Sequence, residues 1–102
     1  MKKYRVNHAF VPRDIDGIYF LVDITRKDYY DIREITSLNK TMYLLCTLMS
    51  KSGIFCDDEL TDQFKALFLV HSKEQEIQIE QDVQNCIVSL CETGFIEEIS
   101  HA

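Results

Sequence analysis

The chain has no tryptophan, one proline and three glycines among its 102 residues. So few residues that break or loosen the backbone exclude a proline-rich linker, a collagen-like repeat and a low-complexity chain. Gly17, Gly53 and Gly94 stand alone, so there is no glycine-rich loop to cradle a phosphate. No run approaches the roughly 18 to 20 uninterrupted apolar residues that cross a bilayer, and the polar start MKKYRVNHAF lacks the apolar stretch of a signal peptide. A cytoplasmic location without membrane association is the expectation. Basic residues are missing from one end: from Glu74 onward there are seven acids and no Lys or Arg. With a net charge of -6, the chain repels phosphate backbones and anionic membranes unless a basic patch forms locally.

Metal and catalytic patterns are absent as well. Four cysteines, at 46, 56, 86 and 91, include no CxxC, and the histidines at 8, 71 and 101 are scattered, so neither a metal site nor a cofactor is expected. Cys46, Cys86 and Cys91 fall in apolar helical stripes as small hydrophobes, whereas Cys56 falls in a loop or cap with more exposure. Asp57, Asp58 and Glu59 suit the positive end of a helix. No His, Cys and carboxylate come together in the local pattern, which argues against an enzyme.

What is present is an ordinary globular composition, 46% apolar and 27% charged, on a chain long enough for one core. One domain over residues 1–102 is expected. Its clearest element is Ile79 to Gly94, where Ile79, Val83, Cys86, Ile87, Leu90 and Cys91 recur in steps of three and four as one stripe of a helix. Gly94 is placed to stop that helix in the left-handed conformation, and Phe95 and Ile96 resume as a short extended tail.

Upstream, Val6 to Asp14 reads as a first strand, and Asp16-Gly17 between apolar segments marks a type I' hairpin joining 9–15 to 18–24. On the second hairpin strand, Ile18, Phe20, Val22 and Ile24 make the better core face, against Tyr19 and Leu21 on the other. Residues 29–37 return as a third strand, leaving an edge with unpaired backbone groups. Asn39 or Ser37 caps a helix over 40–51. A second helix follows the acids at 57–59, with Leu60, Phe64, Leu67 and Phe68 as a packing stripe free of ligand contact, and the third begins between Glu76 and Glu80. The fold class is α+β: a three-stranded antiparallel sheet over about 6–37, then a three-helix, winged-helix-like bundle over about 39–94.

A winged bundle invites a DNA-binding reading, which needs a basic recognition helix. Gln78, Gln81, Gln84 and Asn85 could read bases, but Glu76, Glu80 and Asp82 stand among them without a basic companion. Peptide recognition fits better, because an edge strand beside a helix offers backbone bonds from the strand and side-chain pockets from the helix. The candidate contacts are Tyr30, Ile32, Arg33 and Ile35 on the third strand, with Ile79, Asp82, Val83, Cys86 and Ile87 on the third helix. Val83 and Ile87 have a competing role in the core.

Leu38-Asn39 before a helix, the short helix from Asp58 to Phe68, Ile79-Glu80-Gln81-Asp82-Val83, Leu90 and Gly94-Phe95-Ile96 together resemble the PqqD family. These small recognition elements and peptide chaperones belong to pathways of ribosomally synthesised, post-translationally modified peptides. The resemblance runs from about Phe10 to Ile96, and the link from the hairpin to Leu38-Asn39 is longer than the family's. It implies a sheet packed on a winged-helix-like bundle. The leader segment of a precursor peptide would add as a strand beside residues 29–37 and against 78–93, and be presented to a modifying enzyme, often a radical SAM protein. The expectation is therefore a non-catalytic leader-binding adaptor without a nucleic-acid partner. The alternatives are a winged-helix transcription regulator and a self-associating structural subunit, such as a homodimer through the third-strand edge.

Overall fold

Exposed and buried side chains alternate along Lys3–Val6, the mark of a strand with one covered face, and this segment forms β1. The computed structural model describes residues 2–25, 36–68 and 72–99. The Asn7 carbonyl accepts from the Phe10 N–H at 3.1 Å, and the Asn7 side chain accepts from the Ala9 N–H at 3.0 Å. This turn divides the expected first strand, Val6 to Asp14, into the end of β1 and a separate β2 (Phe10–Ile15).

β2 and β3 (Ile18–Asp23) form the expected hairpin, with φ of 53° at Asp16 and 83° at Gly17, as a type I' turn requires. β4 (Thr36–Leu38) pairs antiparallel with β3, giving a three-stranded sheet in the order β2-β3-β4. The core face of β3 is the reverse of the expectation. Leu21 is only 3% exposed and Tyr19 stacks on Tyr43 at 4.5 Å, while Ile18 and Ile24 are each 57% exposed. The number of apolar residues did not decide the face; the helix carrying Tyr43 lies against Tyr19 and Leu21. Directly paired residues share a face, so Val11 and Ile15 join Val22 and Ile18 in an apolar outer surface.

Asn39 caps α1 (Lys40–Ser52), its side chain accepting from the Met42 N–H at 2.8 Å, while Ser37 lies inside β4 opposite Phe20. Asn39→Ala is expected to lower stability by about 1 kcal/mol, read as a lowered urea midpoint with unchanged slope. After Gly53, β5 (Ile54–Cys56) pairs with one side of β1, and β6 (Ile96–Glu98) pairs with the other. The result is a second three-stranded sheet, β5-β1-β6, absent from the sequence expectation. Cys56 ends β5 at the N-cap of the next helix, as expected, but is buried there instead of exposed.

α2 (Asp57–Ala66) starts on the three acids and stops two residues short of Phe68, leaving Leu67 and Phe68 substantially exposed. α3 (Lys73–Thr93) begins earlier than the periodicity indicated, because Ser72 accepts from the Gln75 N–H at 3.2 Å and caps the helix. It ends as expected at Gly94, whose φ is 88°. A Cβ on Gly94 would meet no atom within 4 Å, so Gly94→Ala isolates backbone strain. It is expected to cost about 1–2 kcal/mol, measured by urea unfolding.

Val83, Ile87 and Leu90 of α3 meet Leu45, Cys46 and Met49 of α1, Leu60 and Phe64 of α2, and Phe55, Phe95 and Ile96 in one buried cluster. The stripe that dominates the sequence thus forms the centre of the core. Among the described residues, no helix is long and apolar enough to cross a membrane.

Candidate functional site

β4 runs into the first turn of α1 at Asn39. Between that first turn, the end of α2 and α3 lie two adjoining pockets of about 340 Å³ and 320 Å³. The first is lined by Thr41, Phe64, Phe68, Gln75, Gln78, Ile79 and Asp82. The second is lined by Asn39, Thr41, Met42, Asp82, Asn85, Cys86 and Ser89. Thr41 and Asp82 belong to both, so the pockets form one groove with those two residues at the seam.

The α3 wall follows from helical spacing. Gln75, Gln78, Ile79, Asp82, Asn85, Cys86 and Ser89 recur at three- and four-residue steps and therefore share one face. From Gln75 to Ser89 the rise is about 21 Å at 1.5 Å per residue, the span of roughly six residues of extended chain at 3.3 Å each. Among the described residues β4 has no strand on the side away from β3, so an open strand edge lies at the head of the groove.

The two ends differ in chemistry. Phe64 and Phe68 meet edge to face at 5.0 Å and, with Ile79, make the first pocket apolar. Asn39, Asn85 and Ser89 make the second polar. At the seam, the half-buried Asp82 accepts a hydrogen bond from Gln78 Nε2 at 3.0 Å, and among the described residues no Lys or Arg pairs with it. Glu80, on the neighbouring face, is paired with Lys65 at 2.7 Å, and this hydrogen bond holds the Lys65 pKa above its ordinary value.

The thiols near the groove are not activated. Burial, and then the Asp82 carboxylate, push the Cys86 thiol up. Burial, and then Cys86, push Cys46 up to about 12. Both remain protonated at neutral pH and serve as small hydrophobes. No cluster of three or more His, Cys, Asp or Glu suited to a metal occurs among the described residues.

Of the residues singled out from sequence, the structure brings Ile79, Asp82 and Cys86 together in the groove wall. Val83 and Ile87, at 0% and 2% exposure, are in the core behind it. Their positions on the inward stripe of α3 give them that role instead of a place in the wall. Tyr30, Ile32, Arg33 and Ile35 lie outside the described residues, as does most of the expected strand 29–37, which meets β4 at Thr36 and Ser37.

Sequence reasoning missed the opposite wall, Thr41 and Met42, and the aromatic end. It read Phe64 and Phe68 as packing alone, whereas Phe68, 44% exposed just past the end of α2, borders the groove. A large aromatic residue beyond the last helical turn was the available signal.

No family model and no curated protein matches the chain. Among solved structures it is similar to TbiB1 in complex with the TbiA(beta) leader peptide, with a TM-score of 0.62 and 16% sequence identity. The match covers 96% of this chain and 98% of that one. At this identity the likeness establishes the fold, and it does so through nearly the whole of both chains.

Proposed function

We propose that this chain is a non-catalytic adaptor of the PqqD-like, leader-recognising kind, which binds an extended peptide in the groove between the first turn of α1 and α3, with β4 leading into it. The observation that carries the reading is the groove itself: about six extended residues long, apolar at one end, polar at the other and next to β4, an edge strand among the described residues. The peptide would take backbone hydrogen bonds from β4, while alternate side chains enter the two pockets. Support comes from the shared fold with TbiB1, which was solved in complex with a leader peptide. The exposed acids Glu74, Glu76, Glu80 and Glu92 on α3 favour a peptide over a phosphate backbone.

The adaptor's contribution is proximity. Holding the leader near a separate modifying enzyme in the cytoplasm, a radical SAM protein being one candidate, raises the local concentration of the segment to be modified. The reading is tested by titrating isotopically labelled protein with the leader of a precursor peptide encoded beside it. Amide shifts at 36–39 and along the groove face of α3 are expected; an unchanged spectrum overturns the reading.

Strand addition makes a second, sharper expectation. N-methylation at alternate residues of the bound peptide should weaken binding in one register and spare it in the other, because only alternate amides face β4. Each lost backbone bond should cost about 0.5–1.5 kcal/mol, measured by calorimetry. Equal effects in both registers would exclude a strand-like pose.

A further inference from the structure

We infer that the groove selects peptides by charge: a Lys or Arg of the ligand sits against Asp82, with an apolar residue two positions away in the pocket of Phe64, Phe68 and Ile79. This rests on the peptide-binding reading above and supplies its specificity. Asp82 is the one charged side chain among the described residues lining the two pockets, and it stands where they meet. Among the described residues its side-chain partner is the neutral Gln78 amide, which donates to Oδ1.

A bound peptide would strip water from this half-buried carboxylate, a loss that a neutral ligand residue leaves uncompensated. A guanidinium or ammonium supplies a charge-assisted hydrogen bond instead. The nearest other acid on α3, Glu80, is already neutralised by Lys65. The spacing also fits. Gln78, which lines the apolar pocket, and Asp82 are separated by about 6 Å of helix rise, and alternate side chains of an extended peptide are about 6.6 Å apart on one face. One side chain can therefore enter the apolar pocket while the next on that face reaches Asp82. The excess of acids at this end of the chain further favours encounter with a basic segment.

The test is selection from a displayed library of random twelve-residue peptides against the full chain, Asp82→Asn and Asp82→Lys, each first checked for a native circular-dichroism spectrum. The full chain should enrich Lys or Arg two positions from an enriched apolar residue. Asp82→Asn should keep the apolar preference, lose the basic one, and bind the best wild-type peptide roughly ten- to hundredfold more weakly, the range for a hydrogen bond to a charged group. Asp82→Lys should bind a Lys→Glu version of that peptide better than the original. Peptides enriched without a basic position, or a basic preference that survives in Asp82→Asn, overturn the charge selection and leave peptide binding standing. No enrichment by any of the three proteins overturns both.

Discussion

Replacing Phe95 by alanine is expected to remove about 3–5 kcal/mol of stability, a large share of the roughly 5–15 kcal/mol that holds a small domain together. Phe95 is the largest of the fully buried side chains among the described residues, and its backbone ties three elements together. Its N–H donates to the Leu90 carbonyl at 3.2 Å, closing the end of α3, and its carbonyl accepts from the Asn7 N–H at 2.8 Å, at the turn between β1 and β2. Truncation leaves a cavity at the junction of α3 and the β5-β1-β6 sheet, where neither has room to collapse. Urea unfolding should show a much lower midpoint with an unchanged slope. A loss below about 1 kcal/mol would mean that this junction is not a structural centre of the domain.

The features that were legible in the sequence are those governed by local chemistry. Asp16-Gly17 specifies a turn with both central residues at positive φ, Asn39 supplies a side-chain acceptor for the first turn of α1, and Gly94 tolerates the left-handed stop of α3. Each depends on a few adjacent residues. The start of α3 was legible in principle, since Ser72 followed three residues later by Gln75 is a capping pattern, but its polar composition reads equally as a link.

The misread features depend on distant partners. β1 alternates over only four residues and β5 is three residues long, so neither stands out alone, and each becomes a strand by pairing with the other. The buried face of β3 is set by Tyr43, more than twenty residues away in sequence, and the side with more apolar residues faces outward. The groove has the same character. Its α3 wall was legible as a helical face, so Ile79, Asp82 and Cys86 were found, but Thr41 and Phe68 enter through the packing of α1 and α2 against α3.

Thr41→Trp is expected to weaken peptide binding by roughly thirtyfold or more, the effect of losing a hot spot of about 2 kcal/mol, while leaving stability within about 0.5 kcal/mol. Thr41 lines both pockets opposite Asp82 and sits in the first turn of α1, partly exposed, where a larger side chain projects into the groove without entering the core. An indole there fills the seam that any extended occupant must cross. The outer face of the hairpin, with Ile15, Ile18, Val22 and Ile24, is a second apolar surface among the described residues. The two sites give opposite results. Groove binding is weakened by Thr41→Trp and indifferent to Ile18→Asp, whereas binding on the sheet face is lost with Ile18→Asp and untouched by Thr41→Trp. Fluorescence anisotropy with a labelled leader peptide, run on both variants beside thermal melts, therefore assigns the peptide to one surface and overturns the groove if Thr41→Trp binds as the parent chain does.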